Sequence, residues 1–266
     1  MSQPVTQCID IGALKLCLRQ AGSGSAVMFL HGLGWDHHLW DSAFERYGDR
    51  HHLIAGDTRG HGQSDKPPTP YSIRQFAEDW LQVLDRLQIN TLKIIGFSQG
   101  SMIAMQMALL QPDRFSACLF AATTCCNPPE VDANMQQRIA LLDQMGAEAA
   151  AKLASESIFS PRFIRQHPQY IAEFIQRRAA SDQASLKRAM LATTGFNLCE
   201  QLQRLHQPCW VMAGADDRLT PPALAQQVQD HLPNSKFIIL PDTGHMMPIE
   251  QPEPFYQWID AFLDVT

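Results

Sequence analysis

Short apolar runs alternate with longer amphipathic stretches along this chain, and that alternation narrows the possible folds more than any other feature. The runs are Val27-Met28-Phe29-Leu30, Leu53-Ile54-Ala55, Leu92 to Gly96, Ala117 to Phe120, Cys209 to Met212 and Phe237 to Leu240. Each is mainly apolar, with Lys93 the one charged member, as expected of strands covered on both faces. Each is followed by Gly, Asp, Thr or Pro, which end strands and open loops. Between them lie helical patterns. The clearest is Ser72 to Leu87, with Ile73, Phe76, Trp80, Val83, Leu84 and Leu87 on one stripe. Alternating strands and helices predict the α/β class, with a mostly parallel, doubly wound sheet. Cys8 to Arg19 alternates around Gly12 and predicts an antiparallel hairpin on the sheet edge.

The alternation stops after Phe120. From about Cys125 to Leu205 the pattern is mainly helical, with breaks at Pro128-Pro129, Gly146, Ser160-Pro161, His167-Pro168 and Gly195. The expected organisation is a core of residues 1–124 and 206–266, with residues 125–205 as a helical lid inserted after the sixth strand. A lid there would cover the carboxyl ends of the strands, where open parallel sheets bind ligands. The chain's 21 Lys and Arg against 27 Asp and Glu give a net charge of −6. That disfavours a general nucleic-acid binder, which needs a basic surface. No run approaches a membrane span, and the start has no signal-peptide pattern. The seven Cys show no CxxC spacing, so no metal or redox motif is indicated. They are expected to be reduced thiols of a cytoplasmic protein. Cys125 and Cys126 are adjacent and so poorly placed to bridge each other.

The strongest local signal is Gly96-Phe97-Ser98-Gln99-Gly100. An apolar strand precedes it and a small-residue helical stretch follows. The glycines leave room for backbone to pass close by, and the tight turn exposes the serine hydroxyl above a helix N-terminus. A hydroxyl is a weak nucleophile and needs a base. His245, on the loop Pro241 to Pro248 after the last strand, reaches the same sheet edge. The imidazole in turn needs an acid to fix its tautomer. Ala213 to Pro221 offers Asp216 and Asp217; Asp217 is favoured, and Asp216 fits a turn or cap. The backbone N–H of Gln99 and of Leu33, in His31-Gly32-Leu33-Gly34-Trp35, are the expected oxyanion donors. His31 is expected to be a structural hydrogen-bonder. Trp35, Phe97 and Met246 are candidates for the pocket wall and equally for core.

Together, His31-Gly32, Asp57 to Ser64, Gly96 to Gly100, Gly214 to Asp217 and Gly244-His245 resemble the α/β-hydrolase superfamily over nearly the whole length. Within it the chain looks most like the 3-oxoadipate enol-lactonase and small carboxylesterase group. The lid stretch Ile158 to Phe163 and His167-Pro168 carry that finer similarity. The resemblance implies an α/β-hydrolase fold and a structural role for Asp57 to Ser64. Relatives that open epoxides or displace halide use an aspartate nucleophile, whereas position 98 is Ser here. The expected reaction is hydrolysis of a small ester or lactone through an acyl-enzyme. C–C bond hydrolysis, perhydrolysis and a non-catalytic binding module are the alternatives. An acidic substrate would want a cationic lid residue, and Arg138, Arg162, Arg177 and Arg178 are available. Trp80, Trp210 and Trp258 fit cores, and Met102, Met105 and Met107 fit packing. No metal or organic cofactor is implied, no nucleic-acid or membrane partner is expected, and the sequence leaves monomer and homodimer open.

Overall fold

All six apolar runs form strands in the computed structural model, which describes residues 4–265. Residues 1–3, read above for a leader pattern, lie outside that description. The strands are β1 (Val5–Asp10), β2 (Lys15–Ala21), β3 (Ala26–Leu30), β4 (His52–Gly56), β5 (Leu92–Phe97), β6 (Phe115–Ala121), β7 (Cys209–Gly214) and β8 (Ser235–Leu240). They form one sheet in the order β1-β2-β4-β3-β5-β6-β7-β8. The hairpin β1–β2 is antiparallel and joins β4 antiparallel. Every other pairing is parallel. Successive side chains enter opposite cores. On β3, Met28 and Leu30 join one cluster, and Val27 and Phe29 the other.

Helices cover both faces. They are α1 (Asp41–Tyr47), α2 (Ile73–Arg86), α3 (Gln99–Leu110), α4 (Pro129–Met145), α5 (Ala147–Ile158), α6 (Pro161–Gln166), α7 (Pro168–Ala180), α8 (Gln183–Leu191), α9 (Cys199–Leu202), α10 (Pro222–Asp230), α11 (Met247–Glu250) and α12 (Pro252–Leu263). Helix α2 starts where the sequence places it, because the Ser72 hydroxyl caps the Gln75 amide. Its stripe packs with α3 and α10 in one core, while α1 and α12 fill the other. Between β6 and β7 the helices break at the expected residues. Pro129, Pro161 and Pro168 open α4, α6 and α7, and Gly146 separates α4 from α5. The two crossings into this segment run side by side. The Leu198 amide donates to Cys125 O, and the Asn127 amide to Phe196 O.

The cysteines correct the thiol reading. The structure pairs Cys8 with Cys17 and Cys125 with Cys199 as disulfides, leaving Cys118, Cys126 and Cys209 free. Cys8 and Cys17 are nine residues apart but face each other in the β1–β2 register. Cys125 and Cys199 sit at the two crossings. Neither pairing has a spacing motif, so only strand register and chain topology bring the sulfurs together. The thiol argument for a reducing compartment therefore falls. No helix among the described residues is long and apolar enough to cross a membrane.

Candidate active site

Ser98 stands between β5 and α3, and there the backbone takes an unusual turn. Its φ is 54° and ψ −120°, a conformation L-residues rarely adopt and one that costs about 1–3 kcal/mol. The surroundings enforce it. The Ser98 amide donates to Ala121 O at 2.8 Å, tying the turn to β6, while Ser98 O accepts from Ser101 and Met102 amides. Both flanking glycines are needed for close backbone approach. A Cβ on Gly100 would lie 2.3 Å from Leu30 O, and one on Gly96 2.5 Å from Ser101 Cα. The strain holds the hydroxyl at the carboxyl edge of the sheet, partly exposed beside a cavity.

His245 comes to the same edge from the loop between β8 and α11. Its Nε2 is 3.0 Å from Ser98 Oγ, and its Nδ1 is 2.8 Å from Asp217 Oδ2. With Nδ1–H donating to the carboxylate, Nε2 is left to accept the serine proton. Glu250 holds the loop. Its carboxylate accepts from the Gly244, Met246 and Ser160 amides, so the start of α6 and the histidine loop share one anchor. Glu250 was not legible in the sequence, since nothing in its spacing marks it.

Asp217 is buried, whereas its neighbour Asp216 is exposed and its amide donates to Thr243 O in a turn. Asp217 Oδ1 accepts from the Leu219 and Thr220 amides, and Oδ2 from the Thr220 hydroxyl at 2.7 Å. Burial alone would raise this carboxyl. The His245 charge and the hydrogen bonds from His245 and Thr220 outweigh it and hold Asp217 below its ordinary value. Thr220, also 3.2 Å from His245 Nδ1, is a second site residue that the sequence reading missed. Its place three residues after the acid is a usable signal, because a hydroxyl there can cap the carboxylate.

Leu33 and Gln99 line the same cavity as Ser98 and His245. The Gln99 amide opens α3 and has no acceptor within the helix. The Leu33 amide donates to no acceptor among the described residues. His31 is structural, as expected: Nδ1–H donates to Gly32 O, and Nε2 accepts from the Thr58 amide. Burial pushes its imidazole below the ordinary value. The Asp57 to Ser64 turn is likewise held from within. Asp57 accepts from the His37 and Gln63 amides and from the His37 ring.

Trp35, Phe97 and Met246 all line the cavity, although Phe97 and Met246 are also deep in the core. Of the four arginines, Arg138 and Arg178 line it. Arg177 is exposed, against the rings of Trp35 and Tyr170, and Arg162 is exposed, facing Asp242. Among the described residues the one cluster with metal-ligand spacing is Cys125, Cys199 and His231. The disulfide engages both of its sulfurs, and none of the three lines the cavity.

Comparison with known proteins follows the same lines. The family model described as alpha/beta hydrolase fold matches residues 25–252. The chain is 30% identical over 238 residues to 3-oxoadipate enol-lactonase 2 of Acinetobacter baylyi, covering 90% of this chain and 88% of the relative. Among solved structures, the enol-lactonase from Burkholderia xenovorans superposes with a TM-score of 0.89 at 22% identity, over 97% of this chain and 100% of the other. A malate-bound thermophilic esterase from Thermogutta terrifontis gives 0.87 at 24% identity, over 98% of each chain. Matched over most of its length by the family model, with the predicted sheet and the strained turn after β5 in place, the chain belongs to the α/β-hydrolase fold family.

Proposed function

We propose that this hydrolase cleaves a small carboxylic ester or lactone through an acyl-enzyme on Ser98. The observation that carries the reading is the unbroken hydrogen-bond chain from Asp217 through His245 to Ser98. His245 Nε2 takes the hydroxyl proton as Ser98 Oγ bonds to the substrate carbonyl carbon. The Leu33 and Gln99 amides receive the oxyanion that develops. The C–O bond to the leaving oxygen then breaks, and His245 returns the proton to that oxygen; in a lactone it stays tethered to the acyl group. Water attacks the acyl-enzyme by the same route and releases the acid. Asp217 remains an anion throughout and stabilises the imidazolium. In this reading the helices of residues 125–205 act as the lid.

The cavity wall supports an acidic substrate. Arg138 and Arg178 line it, and neither has a carboxylate partner among the described residues. Arg138 is half-buried and Arg178 buried; a buried cation without counter-charge is costly, so a substrate carboxylate is the natural partner. The enol-lactonase relative is named for a lactone of a dicarboxylic acid, in keeping with this.

The test is Ser98→Ala. Ester and lactone turnover should fall by at least about 10⁴-fold with the fold intact, and a fluorophosphonate probe should label the native protein but not the variant. Wild-type turnover in the folded variant ends the proposal. A panel of esters, lactones and a diketone separates it from C–C hydrolysis.

A further inference from the structure

We infer that Arg178 is a positioning residue: it fixes the turn that presents the Leu33 amide, and so couples the charge held in the cavity to the oxyanion site. This rests on the proposed reaction at Ser98. Gly32 to Trp35 form a four-residue turn closed by the Trp35 amide donating to Gly32 O at 3.1 Å. Gly34, at its third position, has a φ of +70°, the signature of a type II turn. Such turns interconvert with type I when the central peptide, which carries Leu33 O and the Gly34 N–H, flips; the Leu33 N–H is on the preceding peptide, so Arg178 acts on it by keeping the turn as a whole in one form. Arg178 prevents the flip. Its Nη1 donates to Leu33 O at 2.9 Å from the last turn of α7.

The guanidinium lies directly on the turn. A Cβ on Gly34 would be 1.2 Å from Arg178 Nη1, so any side chain there would push the guanidinium off the turn. Arg178 is buried, and Leu33 O is its sole hydrogen-bond acceptor among the described residues. A guanidinium has five N–H donors in a rigid fork, which leaves donors for a ligand in the cavity that Arg178 lines. Burial and the charge of Arg138 push its pKa well below the ordinary value, as expected of a cation short of counter-charge. One rigid group thus holds the oxyanion turn with one donor and offers the others to a substrate carboxylate. A substrate that binds there tightens the group that orients the amide awaiting its own oxyanion. Lysine, a point charge on a flexible stem, cannot serve both partners in one geometry.

The experiment compares 4-nitrophenyl pentanoate with mono-4-nitrophenyl glutarate, which match in acyl length and differ by one carboxylate. Wild type should favour the glutarate in kcat/KM by at least about tenfold. Arg178→Gln should erase that preference and also lower kcat on the neutral pentanoate about tenfold, with KM nearly unchanged. Arg178→Lys should recover the glutarate preference but only part of kcat. Arg162→Gln, a surface charge control, should behave as wild type. Gly34→Ala displaces the guanidinium and should reproduce the kcat loss, which keeps the test decisive where Arg178→Gln fails to fold. An unchanged kcat on the pentanoate in Arg178→Gln or Gly34→Ala overturns the inference. Fluorophosphonate labelling separates the two readings. If native Ser98 is not labelled, the proposed reaction fails; if it is labelled and the variants are unaffected, only the role of Arg178 fails.

Discussion

Asp216 and Asp217 are adjacent in the chain and opposite in circumstance. One points to solvent; the other is buried under two amides, a hydroxyl and an imidazole. In the proposed mechanism only the second matters. Asp217→Asn should lower kcat by about 10⁴-fold, because the neutral amide favours the wrong imidazole tautomer. Asp216→Asn should leave kcat within about twofold of wild type. Steady-state kinetics on one chromogenic ester decides between them, and the reverse pattern would move the acid to Asp216. The sequence favoured Asp217 on its distance from Gly214 and Pro221. Thr220, whose hydroxyl is the carboxylate's third donor, was passed over although it stands only three residues after the acid, because a capping contact has no periodic repeat to mark it.

Among the elements, those with a repeating pattern were the ones that could be read. Helix α2 shows its apolar stripe and its Ser72 cap, and β3 to β8 show their apolar runs, because burial on a regular element recurs at fixed spacing. The contacts that tie one element to another were silent. Glu250 joins the histidine loop to α6, and Cys125–Cys199 joins the two crossings of the helical segment. Each is a meeting of distant positions decided by topology. The disulfides have a direct check. Alkylation of the denatured, unreduced protein should modify three thiols, Cys118, Cys126 and Cys209, and reduction beforehand should raise the number to seven. Seven without reduction would restore the all-thiol reading.

For the molecule as a whole, folding places charge at depth, and stability should follow pH accordingly. Burial would raise the Asp57 carboxyl, but the His37 ring and the His37 and Gln63 amides hold it below its ordinary value near 3.8. A lowered carboxyl contributes stability that is fully present above the unfolded value and is lost as pH falls through the folded one. Asp217 acts in the same sense. Asp79 acts in the opposite sense, because burial raises it despite its two bonds from Arg59. The buried imidazoles of His31 and His61 are also held below their ordinary value, His61 at about 3, so the unfolded chain binds more protons once pH drops past 6.5. Unfolding free energy should therefore already decline from pH 6 to 5 and fall further below about pH 4, as Asp57 and Asp217 protonate. Asp57→Asn should be less stable at neutral pH and fall less steeply. Urea titrations at each pH measure this, and equal slopes would remove Asp57 from the account.

The sequence by itself determined the order of strands and helices, the strained serine turn and the three groups of the proposed relay. Local backbone sterics and repeated burial write these into neighbouring residues. Only the tertiary structure decided which arginines enter the cavity, which cysteines meet and what grips the Leu33 turn. Arg177 and Arg178 are consecutive, yet one lies against surface rings while the other is buried on Gly34, which lies 144 residues earlier in the chain. On a helix, adjacent residues point about 100° apart. Which direction meets the oxyanion turn is set by how α7 packs against α5 and the Trp35 loop, and packing depends on the shape of both surfaces.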